Sequence, residues 1–556
     1  MNDRLFHMLA WAAAGLCLLP VAAVILAAVS GDLSGWSALS STVLPRFTAN
    51  SVALVLLVSM GTFVIGTSTA WLVTTCHFPG RRLLEVMLAL PLAFPAYVLA
   101  YAYTDLLDHP GPVQTLLREV TGWGPRDYWF PEIRSLEGAA AMLTLVLYPY
   151  VYLLARAAFL TQSFGGYLAA RVLGKGPWTA FWRVSLPMAR PAIAGGVLLT
   201  VMETIADYGT VSYFGVQTFA TGIYQAWFSL GDRTAAAQLA LCLLSVALLL
   251  ATLERIQRGA AKRYPSGGGT EMPRQELGGA AAWGAALWCT LPVLFGFVLP
   301  IVILTTLAWD ANQSLLSARY QGFMRNSLML AAIAAVVTVA AAVLVGTAAR
   351  LKRSRATRAM TLLAGVGYAV PGGVIAVGLM VPFAALDNNL DAWMRATFGI
   401  STGLLFTGSI WLLVLAYMVR FMAAALSAFD TGITGINPSI DAAARTLGKS
   451  PAGMLWRVHL PLMKTALLTG ALIVFVDVMK ELPATLILRP FNFDTLAVQA
   501  HRLAADERLS EAALPSLVIV AFGLLPVIIL CRSIARHATP NPRPALDPMA
   551  AESAKG

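Results

Sequence analysis

Apolar residues come along this chain in long unbroken blocks, without the spaced stripe of a water-soluble helix or the alternation of a half-exposed strand. The blocks fall near 8–29, 51–74, 83–105, 138–160, 191–212 and 234–253, and again near 281–308, 327–349, 359–382, 403–426, 464–487 and 513–531. Each holds roughly 20 mostly apolar residues, enough for a helix to cross about 30 Å of hydrocarbon. The pattern predicts an all-α integral membrane protein with about twelve transmembrane helices. The first block, Met8 to Val29, is longer than the ~7–15 residue apolar core of a signal peptide and reads as an uncleaved helix.

The polar segments between the blocks set an orientation. Lys and Arg collect on the cytoplasmic side of membrane proteins. With the amino terminus inside, the even-numbered connections carry Arg81 and Arg82; Arg171, Lys175, Arg183 and Arg190; Arg255, Arg258, Lys262 and Arg263; and Arg350, Lys352, Arg353, Arg355 and Arg358. The outer connections hold 11 of the 39 basic residues. Both termini are therefore expected in the cytoplasm, with the bilayer as the first partner.

Composition agrees with the pattern. The chain has 556 residues, 58% of them hydrophobic and only 12% charged, with a mean hydropathy of +0.71. Too few charges remain to cover several water-facing domains. The net charge of +11 follows the topology and asks for no nucleic acid. Five scattered cysteines form no C-x-x-C pair and the six histidines no ligand spacing, so no disulfide framework, cofactor or certain metal site is expected.

The chain also repeats itself. Asn50-Ser51 returns as Asn326-Ser327, and Pro95 as Pro371, both 276 residues later. Tyr167–Pro187 (YLAARVLGKGPWTAFWRVSLP) and Asp441–Pro461 (DAAARTLGKSPAGMLWRVHLP) share twelve of 21 positions at an offset of 274. Six spans per half make the halves parallel repeats about an axis normal to the membrane. The expected division is 1–254, a cytoplasmic linker 255–279 rich in Gly, Pro and charge, 280–537, and a cytoplasmic tail 538–556.

Each repeated loop, 163–190 and 437–464, reads as helix, break, helix. In the second copy Ser439 caps a short helix from Asp441, Gly448 ends it with positive φ, Ser450 and Pro451 start another, and Pro461 stops it. Gly174, Pro177 and Pro187 do the same in the first. Such helices suit either the lipid surface or a groove in another protein. The Gly breaks and the duplication favour the groove.

The spacing A-A-R-x-L-G-K-x-P followed by W-R-V-x-L-P resembles the coupling loop of permease subunits of ABC importers. Glu203–Gly215 (ETIADYGTVSYFG) and Asp477–Gln499 (DVMKELPATLILRPFNFDTLAVQ) resemble the fused two-copy permeases for ferric iron. The resemblance implies a type I importer fold in the bacterial inner membrane. It also implies two ATP-binding subunits docked on the loops and a periplasmic substrate-binding protein outside. It assigns ATPase coupling to Ala170, Arg171, Gly174, Arg183 and Pro187, and to Asp441, Ala444, Arg445, Gly448, Arg457 and Pro461. The family's acidic residue six before the glycine is replaced by Leu168 and Ala442, so Asp441, one residue away, is expected to stand in on the second loop. Gly448-Lys449-Ser450 lacks the earlier glycine of a phosphate-binding loop, so ATP hydrolysis belongs to a separate subunit and the chain is no enzyme. Similar permeases carry thiamine, phosphonates or polyamines, and a secondary carrier of the major-facilitator type would also have two parallel six-helix halves.

Charges at membrane depth are costly and mark a pathway or a partner. Glu203 and Asp207, four apart, are expected on one face of the fifth span, and Asp477 and Glu481 repeat them on the eleventh with Lys480 alongside. Two readings stay open: an ion-pair network that closes the path, or a hard-oxygen lining for a trivalent cation. Pro95 and Pro371 are expected to kink helices beside the path, and Pro483 to break the eleventh span.

Overall fold

In hydrocarbon a backbone N–H or C=O has no solvent to bond, so long apolar blocks satisfy themselves as helices. The computed structural model describes residues 3–30, 41–161, 172–174, 176–261, 275–311, 317–352 and 354–537. The first half comprises α1 (Asp3–Ser30), α2 (Leu44–Thr75), α3 (Arg81–Met87), α4 (Ala96–Leu107), α5 (Pro112–Thr121), α6 (Leu136–Thr161), α7 (Leu186–Ala206), α8 (Gly209–Tyr213), α9 (Phe219–Tyr224) and α10 (Arg233–Ala261). The second comprises α11 (Gly279–Val293), α12 (Leu299–Asp310), α13 (Ala318–Leu351), α14 (Arg355–Ala364), α15 (Gly372–Phe398), α16 (Ile410–Thr434), α17 (Pro438–Thr446), α18 (Leu460–Met479), α19 (Pro483–Leu488), α20 (Leu496–Ala505) and α21 (Leu509–His537). Eleven described helices or helix runs are long and apolar enough to cross a membrane, and a bent pair makes a possible twelfth.

That bent pair is the expected third span. The segments Arg81–Ala93 and Ala96–Thr121 meet at 95°. Proline pushes the residue before it out of the helical region: Phe94 is extended at ψ 133° and Pro95 at ψ 138°. The same break recurs at Val370 and Pro371 (ψ 122° and 144°). Both prolines thus cap a new helix where a kink was expected. The tenth span also starts later than expected, at Ile410, because Asp387 gathers the N–H groups of Leu405, Phe406 and Thr407 into a loop.

The two halves exchange their first spans. α1 packs on α10 of its own half and on α13, α14 and α15 of the other. Backbones come close there, since a Cβ on Gly378 of α15 would lie 2.3 Å from the Pro20 carbonyl oxygen. α11 and α12, joined by a π-helical turn at Leu294–Val298, pack in turn on α2, α3 and α4 and on α21. The linker begins later than expected, because α10 runs to Ala261. Its far end is held: Gln275–Glu276 pairs in parallel with Cys76–His77 beyond α2.

Candidate functional site

Each acid pair sits where a span gives out. α7 ends at Ala206, and Asp207 leaves the helix with ψ 129°. Its carboxylate then accepts from the Thr210 N–H (3.0 Å), the Val211 N–H (3.2 Å) and the Thr210 hydroxyl (3.1 Å). α18 ends at Met479, and Glu481 accepts from the Ala484 N–H (3.0 Å), the Thr485 N–H (3.2 Å) and the Thr485 hydroxyl (2.9 Å). A carboxylate that collects the free N–H groups of the next turn favours a break before it, as short Asp side chains commonly do. Glu203 and Asp207 therefore do not share one helical face, nor do Asp477 and Glu481. The outer acid of each pair caps the next short helix, α8 or α19. Pro483 opens α19 just past a break already made at Lys480–Leu482.

All five expected path residues, Glu203, Asp207, Asp477, Lys480 and Glu481, line one cavity of ≈160 Å³ between the halves. Most of its lining residues pair with another lining residue at the sequence offsets of 274 and 276. Glu203 matches Asp477, Asp207 matches Glu481, Leu147 matches Phe421, and Gly209 matches Pro483. Four matches break the symmetry: Ala206 against Lys480, Val146 against Arg420, Leu92 against Tyr368, and Tyr208 against Leu482. Both bases belong to the second half. Lys480 Nζ lies 3.0 Å from Asp477 Oδ1. Among the described residues Arg420 hydrogen-bonds to the Val370 carbonyl alone, at 3.5 Å, and lies 5.8 Å from the centre of the Phe421 ring. Arg420 was overlooked in the sequence, although an arginine inside an apolar block is the same signal that singled out the acids. Among the described residues no group of three or more His, Cys, Asp and Glu is disposed to hold a metal ion.

α4 starts at this cavity and runs away from the repeated loops, and contacts between the halves follow it. Tyr97 donates to the Lys480 carbonyl (3.4 Å) and Tyr224 to the Pro483 carbonyl. Within the first half, Tyr208 stacks on Tyr224 at 3.8 Å. Farther along, the Tyr101 hydroxyl meets His501 Nδ1 at 2.8 Å. At the end, Arg134 makes a two-pronged pair with Glu507 (2.8 and 2.9 Å) and holds Asp108 at 3.2 Å. The Arg134 hydrogen bonds keep the Glu507 carboxyl below its ordinary range. The repeated Asn-Ser pairs also find a use here. Asn50 and Asn326 donate to the Gln217 and Asp494 carbonyls, while Ser51 and Ser327 accept the N–H of Phe219 and Leu496 at the starts of α9 and α20.

At the opposite end lie the repeated loops. Ala170 and Arg171, with most of the first short helix of copy one, lie outside the described residues. Gly174 and Gly448 take φ of +74° and +70°, as expected of the breaks. In copy two Asn437, rather than Ser439, caps α17, and Ser450 accepts the Gly453 N–H at 3.2 Å. Pro187 and Pro461 do not stop their helices. A π-helical turn before each, Phe181–Ser185 and Leu455–His459, carries the helix past the proline and into the span. The wider turn makes room for a residue with no N–H to donate.

Arg183, Arg445 and Arg457 are exposed, as are Leu447 and Trp456, while Ala444 is buried. Asp441 departs from expectation: its carboxylate turns inward. It meets Arg350 Nε at 2.8 Å and His459 Nε2 at 3.0 Å and is 4% exposed. Burial works against its ionisation, but the bonds from His459 and Arg350 outweigh it and hold the carboxyl below the usual range. It is therefore spent within the chain, tying α17 to α13 and to the π turn.

Comparison with known proteins fits both halves. The family model for the binding-protein-dependent transport system inner membrane component matches residues 62–264 and again 342–543. A ferric, Fe(3+)-transport system permease protein of Haemophilus influenzae is 26% identical over 87% of this chain and 88% of its own. A probable ABC transporter permease protein of Sinorhizobium fredii is 25% identical over 97% of this chain and 98% of its own. The molybdenum transport system permease protein of Escherichia coli is 28% identical over 33% of this chain and 79% of its own.

Proposed function

Since the chain belongs to the inner membrane components of binding-protein-dependent transport systems, a family of ABC importer permeases, we propose that it carries ferric iron. In this reading it forms the whole path, two family units in one multi-pass chain of the inner membrane. A periplasmic binding protein delivers cargo on the side of Arg134 and Glu507. Two ATP-binding subunits dock on the two loops, with both termini on their side. ATP binding draws the loops together and reorients the halves about the cavity. The membrane-embedded chain contributes no bond chemistry.

The observation that carries the cargo assignment is the charge of the cavity. Four carboxylates face two bases, a formal excess of two negative charges, which suits a hard cation and disfavours molybdate or sulfate. The ferric relatives, which span both halves, support the same reading. The exposed Arg183, Arg445 and Arg457, with Arg171 of the repeated motif, are the groups offered to acids on the ATPase.

Reconstitution in vesicles tests this. With its ATPase and its binding protein loaded with ferric iron, the chain is expected to accumulate iron only when ATP is present. Accumulation of an oxyanion and not iron would overturn the cargo, and uptake with no ATPase would overturn the coupling. Arg171→Glu with Arg445→Glu is expected to leave ATP hydrolysis running while iron uptake falls at least ~10-fold.

A further inference from the structure

The acids of the cavity are not equivalent once their bonds are counted. Asp207 and Glu481 are each committed to three donors of a short helix. Glu203 and Asp477 remain, symmetry mates on α7 and α18, both facing the cavity. Glu203 has no hydrogen bond or ion pair among the described residues, and Asp477 has Lys480 alone. The Lys480 ammonium lies within electrostatic reach of both. Its match in the first half is Ala206, so one ammonium serves two carboxylates. The pair is not sealed: the Lys480 and Asp477 side chains keep 27% and 30% of their exposure. Arg420 is held back by the Val370 carbonyl and pairs with no acid among the described residues.

We propose that Lys480 is a resident counter-ion of the path, a residue that sets its specificity. While the path is empty its ammonium stands where a cargo cation would meet Asp477 and Glu203, and cargo must displace it. A lysine suits the task, being a compact charge on a flexible stem that can leave and return without losing its proton. Two carboxylates left facing each other would draw in any small cation. Holding one with a tethered charge makes the empty cavity poor at trapping ions, so that only a cation delivered at high local concentration and high charge wins the exchange. The inference rests on the reading that the cargo is a hard cation.

Terbium(III) binding to the full-length chain in a neutral detergent tests it, read by emission sensitised by nearby tyrosines, since Tyr150 and Tyr368 line the cavity. Lys480→Gln is expected to bind at least ~10-fold more tightly than the native chain. Adding Glu203→Gln should abolish that gain, and Lys480→Arg should stay at the native level. Arg420→Gln, which removes a charge touching no carboxylate, should gain far less. An unchanged Lys480→Gln overturns the proposal. So does an equal gain in Arg420→Gln or Lys480→Arg, or a gain that survives Glu203→Gln. On the native chain, terbium should raise the labelling of Lys480 by an amine reagent, read on its peptide, and unchanged labelling would also overturn the idea. None of these readouts needs iron uptake, so they can fail or hold independently of the cargo assignment.

Discussion

After the first loop the chain places Ser185 before its span and Ala206 beside its acids; after the second, the same positions hold His459 and Lys480. The backbone around them is the same in both halves: a glycine in the left-handed region, a π turn before a proline, a span that ends at an acid, and a short capped helix beyond. Duplication kept what the backbone needs, since a lost cap or a changed break would leave buried N–H groups without partners. It released the side chains that carry charge. The second half fastens its loop through Asp441, Arg350 and His459 and puts both bases into the cavity. The first half invests differently, with Glu85 pairing to Arg81 (3.2 Å) and to Arg156. The described parts of the two halves thus distribute their ion pairs unequally.

The largest expected effect breaks that inequality. Asp441→Ala leaves Arg350 and His459 buried without their shared acid, which should cost about 3–5 kcal/mol and expose α17 to protease. Ser185→Ala, at the position matching His459, should change thermal stability by less than about 1 kcal/mol. The Asp441 carboxyl is held below its unfolded pKa, so its contribution is full above the ordinary carboxylate range and fades as pH falls through the depressed value. Protease cutting of the second loop should accordingly rise at acid pH, and Asp441→Asn should flatten that dependence.

A smaller effect probes what the halves share. Asp207→Ala and Glu481→Ala each remove a helix cap and should cost about 0.5–2 kcal/mol, nearly equally, in denaturation of the purified chain. A difference well beyond that range would mean that one acid does more than cap. The smallest effect is at the far face. A double-mutant cycle on Arg134 and Glu507, half-exposed and exposed, should give a coupling of about 0.2–1 kcal/mol, fading with added salt. A coupling several times larger would make that pair a principal clasp between the halves.

Much of the architecture was legible as pattern. Block length located the spans because the thickness of hydrocarbon leaves few alternatives. The 274- and 276-residue offsets paired the loops, the acids and the prolines; the four acids line one cavity, and Pro95 and Pro371 each begin a new helix. Other features turned on competition for backbone hydrogen bonds, which no residue count resolves. Pro95 and Pro371 broke their helices outright, Pro187 and Pro461 did not break theirs, and Asp207 and Glu481 left the helices on which the four-residue spacing had placed them. Arg420 was visible as an arginine in an apolar block but had no symmetric mate to call attention to it.

The order of residues by itself determined that this chain lies in a membrane, is written twice and carries acids at matching depths, because hydropathy, duplication and spacing are linear properties. Only the tertiary structure decided that each half lends its first span to the other, that Asp441 faces inward, and that Lys480 pairs with Asp477 in a cavity that Glu203 also lines. Those outcomes depend on which groups meet across helices hundreds of residues apart, where a single unsatisfied N–H or unpaired charge outweighs local preference.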